Sequence, residues 1–111
     1  MSKIETAKKI AALNDAFRKS LSGGQVLMTP GVCGLPPMVV AAVILKVTEF
    51  SDFSADNDPH GEHDFGTFEL CQRKFFWKID YYDQRCESGS EDPTDPTKTT
   101  RVLTLMLASE Y

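Results

Sequence analysis

Cysteine is scarce in this chain, and a long apolar segment is missing. The three cysteines, Cys33, Cys71 and Cys86, form no Cys-x-x-Cys pair, so the sequence signals neither a disulfide framework nor a thiolate zinc site. The longest apolar stretch, residues 38–45, is far shorter than the roughly 20 residues that a membrane-spanning helix needs. Residues 1–5 contain no apolar signal segment. We therefore expect reduced thiols, a cytoplasmic location and no membrane association.

Lysine and arginine are absent from residues 49–69, which contain seven carboxylates. The carboxylates are Glu49, Asp52, Asp56, Asp58, Glu62, Asp64 and Glu69. Residues 1–21 have the opposite bias, with five basic and two acidic side chains, although the net charge of the whole chain is -4. An acidic surface repels phosphate and favours a cation or a basic protein partner. We expect a protein partner with a basic surface and no direct nucleic acid binding; an acidic face that serves only solubility is the alternative.

The first half of the chain predicts two helices with a short strand between them. With 111 residues and 41% apolar composition, residues 1–111 fit one domain. Apolar residues recur at helical spacing within residues 2–21, and two glycines end this helix. Residues 25–29 favour a strand, and residues 38–47 form a second predicted helix after a proline pair. Because this second helix is apolar almost all round, we expect it to be the central buried one.

The second half of the chain predicts strands, because its apolar period changes to two. Residues 65–71 and 74–82 flank a predicted tight turn at Gln72-Arg73. Residues 99–107 favour a third antiparallel strand with its leucines inward, although Asp95-Pro96 is also a typical helix start. The predicted fold class is α+β, with two N-terminal helices and a short strand packed on an antiparallel sheet formed mainly by the C-terminal half.

Alternation also predicts which side chains form the core. It places Trp77 and Ile79 on the inward face of the second long strand, and the core should join them to three helix residues. These are Phe17, Val43 and Ile44. The opposite face of the same strand mixes lysines, Asp80 and aromatic rings, and we expect it to be half exposed.

Both histidines lie three residues apart in a segment rich in Asp, Asn, Pro and Gly. This composition predicts a loop without regular helix over residues 54–66, with His60 and His63 at least partly accessible. His60, His63, Asp58 and Asp64 offer imidazole and carboxylate groups that suit a divalent metal. No organic cofactor is indicated. The spacing does not match the His-Glu-x-x-His motif of zinc proteases. Residues 56–61 are similar to the first half of a calcium-binding loop, but the twelfth position, where such a loop requires glutamate, is Thr67.

Three interpretations of this loop remain open. It can be a structural loop fixed by hydrogen bonds of its own side chains. We expect instead that replacing His60 and His63 together by alanine leaves the fold intact and weakens binding of whatever cation or partner the loop recognises. It can be a protein-binding loop that uses the carboxylates of Asp56, Asp58, Glu62 and Asp64. It can be the site of a metal-dependent hydrolase, with His60 and His63 as ligands and Glu62 as general base.

Four segments of the chain resemble the bacterial family known as domain of unknown function 3768. They are residues 14–18, 57–66, 76–83 and 101–111. The resemblance implies a short stand-alone protein of a kind often encoded on plasmids or other mobile elements, and it brings no catalytic residue. The function we expect is therefore a non-catalytic binding or regulatory accessory protein that works through its acidic loop and sheet rim. An anti-defence role, in which it occupies a basic nucleic-acid-binding surface of a host protein, is one form of that function.

Overall fold

A computed structural model describes residues 2–111. Its elements are α1 (Lys3–Ser20), β1 (Gln25–Met28), α2 (Pro30–Cys33), α3 (Pro37–Thr48), β2 (Phe65–Leu70), β3 (Arg73–Tyr82) and β4 (Thr100–Leu107), with single 3-10 turns at Pro96–Lys98 and Ala108–Glu110. The four strands form one sheet in the order β1-β4-β3-β2. The α+β architecture predicted from the sequence is confirmed, and so is the strand predicted over residues 99–107.

Helix α1 begins at a cap that its sequence provides, and it ends at Leu21, before the predicted glycine pair. The Ser2 hydroxyl accepts a hydrogen bond from the Glu5 amide at 3.1 Å, which satisfies one of the free amides of the first turn. At the other end Leu21 adopts a left-handed conformation, and its amide donates to the Phe17 carbonyl at 2.7 Å. Ile10 and Phe17, from the predicted apolar stripe, are buried. The helical period of the sequence therefore located this element correctly.

The sheet is mixed, because its first strand pairs in a parallel direction. Strands β2, β3 and β4 are consecutive antiparallel neighbours, and β1 pairs with β4 in parallel. The β2–β3 turn lies at Cys71 and Gln72, one residue earlier than predicted. Both turn residues have positive φ, of 53° and 62°. A type I′ turn requires positive φ at both central residues, and here it occurs without the usual glycine.

All three helices contribute side chains to one core on a single face of the sheet. Phe17, Val32, Val43 and Val47 from the helices meet Phe75, Trp77, Ile79, Leu103 and Leu105 from β3 and β4. The predicted core is therefore confirmed, with Ile44 packed against it as a partly buried residue. The molecule has two layers, because no helix contributes to the opposite face of the sheet in the part of the chain that the structure describes.

Helix α3 differs from its prediction as the central buried helix. Only Val43 and Val47 are buried, whereas Met38 is 87% and Leu45 is 55% exposed. A helix in a two-layer fold contacts the sheet with one side only, so the apolar residues on its other side remain in solvent. None of the helices within residues 2–111 is long and apolar enough to cross a membrane.

The indole of Trp77 lies directly over Gly66 on the neighbouring strand. A Cβ atom at position 66 would collide with Trp77 Nε1 and would come within 2.8 Å of the Phe50 ring. The two residues are register partners in the β2–β3 ladder. Glycine is therefore required at position 66 because the Trp77 and Phe50 rings approach the backbone closely, and not because of the backbone conformation.

Replacing Trp77 by alanine should lower the free energy of unfolding by about 3–5 kcal/mol, because the side chain is fully buried and its removal leaves a large cavity. A loss of this size is enough to unfold a marginally stable domain. Chemical denaturation monitored by circular dichroism measures the effect. Met38→Ala is the control, and it should change stability by no more than about 0.5 kcal/mol. A Trp77→Ala protein as stable as the control would show that the core has been assigned wrongly.

Candidate functional site

The acidic loop, defined here as residues 53–64, contains turns but no regular helix. The loop predicted over residues 54–66 is confirmed up to residue 64, and Phe65 and Gly66 already belong to β2. Two consecutive residues of α1, Asn14 and Asp15, hold this loop against the rest of the fold. Each is the centre of a separate hydrogen-bond network.

Asp15 binds His63, which lies 48 residues further along the chain. Both carboxylate oxygens of Asp15 lie 3.0 Å from His63 Nδ1. The other ring nitrogen, Nε2, lies 3.6 Å from a carboxylate oxygen of Asp58, and the second oxygen of Asp58 accepts from the His63 amide at 3.1 Å. The imidazole also stacks on the Phe53 ring, with centroids 3.9 Å apart and planes 4° apart. These contacts hold His63 in its left-handed conformation, with φ of 55°.

Arg18 links the same network to the core and to α3. Its side chain is 1% exposed, and it donates to Asp15 at 3.0 Å and to the Val47 carbonyl at 2.9 Å. The guanidinium group lies 5.3 Å from the Phe53 ring centroid and 5.4 Å from that of Trp77. A cation at a helix C-terminus stabilises the helix dipole and satisfies free carbonyls. Arg18 therefore caps α3 while it is paired with an acid of α1.

Asn14 is the centre of the second network, and it is fully buried. Its amide donates to the backbone carbonyl of Glu62 at 2.9 Å and to the Tyr81 hydroxyl at 2.8 Å. Its carbonyl oxygen accepts from Arg101 Nε at 2.7 Å. The Tyr81 hydroxyl in turn donates to the Glu62 carboxylate at 2.8 Å. Every polar atom of the Asn14 side chain is used, so the network fixes the loop backbone on α1 and β3.

Burial changes the protonation behaviour of two groups near this network. It raises the pKa of the Tyr81 hydroxyl well above its ordinary value, so the phenol stays protonated and remains a donor to Glu62. Burial, followed by the charge of Glu62, also raises the pKa of the Asp64 carboxyl. A phenol that keeps its proton at all ordinary pH values is a positioning group and not an acid or base.

The structure places the predicted site residues in different environments. His60 and Asp56 are exposed, whereas the Asp58 side chain is only 5% exposed and Glu62 is bound to Tyr81. His63 is 29% exposed, and both of its ring nitrogens face carboxylates. Within residues 2–111, no three His, Cys, Asp or Glu side chains converge in a way that could hold a metal ion.

Sequence reasoning missed the residues that organise this region. Asn14 and Arg18 are buried on the same helical stripe as Ile10 and Phe17. Polar residues at inward positions of an amphipathic helix must have buried hydrogen-bond partners. The inward positions of Asn14 and Arg18 in the helical pattern could therefore have identified them as organising residues. The expectation that both histidines can be replaced without loss of the fold stays a prediction, and the contacts of the His63 ring with Asp15 and Phe53 suggest that His63 contributes to stability.

A groove of about 580 Å³ lies between the N-terminal half of α1 and the acidic loop. Its lining on the α1 side includes Lys3, Ile4, Ala7 and Lys8, and on the loop side Phe53, Ala55, Pro59, His60 and His63. The two sides come close at the floor, because a Cβ atom at Gly61 would lie 3.9 Å from that of Ala7. The groove is mainly apolar inside, with lysines on one rim.

The two histidines should differ in their effect on stability. His63→Ala removes the ring's hydrogen bond to Asp15, its charge contact with Asp58 and its stack on Phe53, so it should cost about 1–3 kcal/mol. His60→Ala is the matched control in the same loop, and it should change stability by no more than about 0.5 kcal/mol because the side chain is exposed. Urea unfolding of both variants provides the measurement. Equal losses would contradict the structural role of His63.

Asp64→Asn should stabilise the protein at neutral pH, because the folded structure holds the pKa of this carboxyl above its ordinary value of 3.8. The unfolded chain releases this proton at lower pH than the folded protein does. The contribution of Asp64 to the free energy of unfolding therefore falls as pH rises above about 3.8, and then becomes constant.

Thermal melts over a pH series test this prediction. The melting temperature of the variant should exceed that of wild type only slightly near about pH 4, and the difference should be largest near neutral pH. Asp56→Asn, which changes an exposed carboxylate of the same loop, is the control and should show a smaller gain. A difference that does not depend on pH would show that the charge of Asp64 is not its cause.

Comparison with known proteins gives a family and no further relatives. No curated protein and no solved structure matches the chain. The model of the family described as Protein of unknown function (DUF3768) matches residues 28–110, from the end of β1 to the last 3-10 turn. The matched region includes the acidic loop and three of the four strands completely, and it excludes α1 with Asn14 and Asp15. The chain belongs to this DUF3768 family.

Proposed function

We propose that this protein is a non-catalytic binding protein that recognises a segment of a protein partner in the groove between α1 and the acidic loop. One observation carries the proposal. The groove is open and its walls are held together by buried hydrogen bonds, whereas the side chains that could perform chemistry, His63, Asp58 and Glu62, are engaged within the fold.

The fixed shape of the groove favours binding. Asn14 and Asp15 connect the loop wall to the helix wall, and their partners leave the loop backbone little freedom. A surface that is already ordered loses less conformational entropy when a ligand binds. An acidic loop that had to fold on binding would have a weaker affinity for the same contacts.

The charges around the groove favour a basic residue in the partner. Glu49, Asp52 and Asp56 are exposed beside or within the loop. Among the described residues, none of the three lies within ion-pair distance of a basic side chain. Unpaired carboxylates on a rigid surface attract lysine or arginine and speed up association.

The groove interior favours an apolar residue next to that basic one. Ile4 is 70% exposed at the α1 rim, and Ala7 and Phe53 add apolar surface inside. Burying an apolar side chain there supplies binding energy, and Asp56, which follows the lining residue Ala55 in the chain, is the carboxylate that we propose for a neighbouring lysine or arginine. Lys3 and Lys8 oppose a purely basic ligand, so the partner segment combines both residue types.

The biological setting that we propose rests on the family resemblance alone. The resemblance implies an accessory protein of bacterial plasmids or mobile elements, and an anti-defence role is the form of this function that we propose. In that role the partner segment belongs to a basic surface of a host protein. The metal-dependent hydrolase gains no specific support from the described residues, because its general base, Glu62, accepts a hydrogen bond from the protonated Tyr81.

Selection from a display library of short random peptides tests the proposal. Selected peptides should combine an apolar residue with lysine or arginine, and nuclear magnetic resonance titration should shift the amides of α1 and the acidic loop. Ile4→Glu and Asp56→Lys should each weaken binding of the selected peptide by about tenfold, which corresponds to roughly 1.4 kcal/mol. Met38→Glu is the matched control, since it changes an exposed apolar side chain outside the groove.

Two outcomes would overturn the proposal. One is that the selection yields no peptide that binds the folded protein. The other is that the selected peptides bind elsewhere, with shifts outside the groove and equal affinity for Ile4→Glu and Met38→Glu. Thermal melts of all variants establish that any loss of binding is not a loss of folding.

A further inference from the structure

A second cavity, called the side hollow here, adjoins the groove between α1 and the acidic loop. It has a volume of about 330 Å³, and it is lined by Lys3, Thr6, Ala7, His60 and Glu62. Three of these residues, Lys3, Ala7 and His60, also line the groove. Because the two cavities share part of their walls, a ligand in the groove can place a neighbouring side chain in the side hollow.

Glu62 is the acidic member of this lining, and the fold holds it in a defined position. Its carboxylate accepts a hydrogen bond from the Tyr81 hydroxyl at 2.8 Å, and its backbone carbonyl accepts one from Asn14 at 2.9 Å. Burial raises the pKa of the Tyr81 hydroxyl, so this group keeps its proton and continues to donate. The carboxylate of Glu62 is therefore oriented before any ligand binds.

Half of the Glu62 carboxylate remains available to a ligand. Only Oε1 accepts a hydrogen bond from a group within residues 2–111, and Glu62 forms no ion pair with any of these residues. A carboxylate offers about four acceptor positions on its two oxygens, so most of its capacity is unused. A fixed, half-buried acceptor of this kind favours a positively charged donor.

Thr6 provides a second acceptor on the opposite wall of the side hollow. Its hydroxyl donates to the Ser2 carbonyl at 2.9 Å, within the first turns of α1. Because this bond uses the hydroxyl proton, the lone pairs of Thr6 Oγ1 remain free to accept. The side hollow therefore offers an oxygen from the loop and an oxygen from the helix.

We propose that the side hollow binds the ammonium group of a lysine in the partner segment, with Glu62 and Thr6 as its acceptors. The inference rests on the proposed function of the groove, and it names the residue that selects a basic side chain there. This lysine is additional to the basic residue that we propose for Asp56, because Asp56 is not part of the lining of the side hollow.

The occupied oxygen of Glu62 favours lysine over arginine. A guanidinium group pairs best with both oxygens of a carboxylate at once, and here Tyr81 already binds one of them. An ammonium group is a compact donor of three hydrogen bonds, and it needs only one oxygen from each acceptor. The side hollow is therefore a lysine site.

The burial and fixed position of Glu62 make its ion pair stronger than one on an open surface. Lys98 and Glu91 form such an open pair at 3.5 Å, with side chains 52% and 78% exposed. Pairs of that kind contribute little, because solvent screens them and two mobile side chains must be ordered. Glu62 is already ordered, so only the lysine of the ligand loses conformational freedom.

Lys3 is the cation with which the lysine of the ligand competes. It is exposed, it lines both cavities, and no carboxylate of residues 2–111 lies within ion-pair distance of it. Together with the positive end of the α1 dipole, it weakens the side hollow for an isolated cation. The lysine therefore binds as part of a segment whose apolar residue is buried in the groove.

Selection of a lysine-containing peptide tests the inference. The probe comes from a display library of short peptides with one fixed lysine and random residues elsewhere, selected on wild-type protein. Replacing the fixed lysine by norleucine, which keeps the apolar stem without the ammonium group, should weaken binding by about tenfold. Replacing it by arginine should weaken binding severalfold.

A double-mutant cycle assigns the lysine to Glu62. Glu62→Gln removes the charge but keeps an oxygen that can accept from Tyr81, so the protein should stay folded. It should weaken binding of the lysine peptide by about tenfold and leave binding of the norleucine peptide unchanged. Glu69→Gln, which changes an exposed carboxylate of β2, is the matched control and should bind both peptides like wild type.

Removal of the competing cation gives a test of opposite sign. Lys3→Ala should bind the lysine peptide severalfold more tightly than wild type does, because the charge that opposes the ligand is gone. Lys19→Ala, which changes an exposed lysine at the other end of α1, is the control and should leave the affinity unchanged. Thermal melts of all variants establish that the compared proteins are folded.

The possible failures separate this inference from the proposed function. Equal affinity of wild type for the lysine and norleucine peptides would overturn the lysine site, while binding in the groove would still stand. Equal weakening of both peptides by Glu62→Gln would also overturn it, since that result assigns Glu62 a purely structural role. Failure of every peptide to bind wild type would overturn the proposed function and the lysine site together.

Discussion

The arrangement of the helices and the acidic loop depends on the two contacts that the Asp15 carboxylate makes. It pairs with Arg18, whose buried guanidinium caps α3, and it binds His63, which anchors the loop. Arg18 is 1% exposed and Asp15 is 27% exposed, so removing Asp15 would leave the buried guanidinium without its acidic partner. One side chain of α1 therefore couples the position of α3 to that of the acidic loop.

Aromatic packing around Arg18 and Trp77 is the second constraint. Within residues 2–111, no protein group accepts a hydrogen bond from the buried Arg18 Nε or Trp77 Nε1, although an unpaired buried donor costs about 1–3 kcal/mol. Both groups are in close contact with rings or backbone instead, Arg18 with Phe53 and Trp77 with Gly66. The fold accepts this cost because the same packing seals the core where the loop, the sheet and two helices meet.

The elements with a strong local period were predictable from the sequence. The stripe of α1 and the alternation of β3 depend only on neighbouring residues, so Phe17 and Trp77 could be assigned to the core without knowledge of the fold. The contact between Asp15 and His63 joins residues that are 48 positions apart, and no local pattern encodes it. The exposure of Met38 depends on the number of layers in the fold, which an apolar sequence alone does not specify.

The groove lies on the helix layer of the fold, and its position follows from how the buried polar residues are distributed. The helix layer uses its buried polar side chains, Asn14 above all, to fix a groove with charged rims. A pre-ordered groove of this kind is suited to selecting a different molecule, because its walls lose little conformational entropy when a ligand binds. The same hydrogen bonds that stabilise the loop therefore also shape the surface that we propose for recognition.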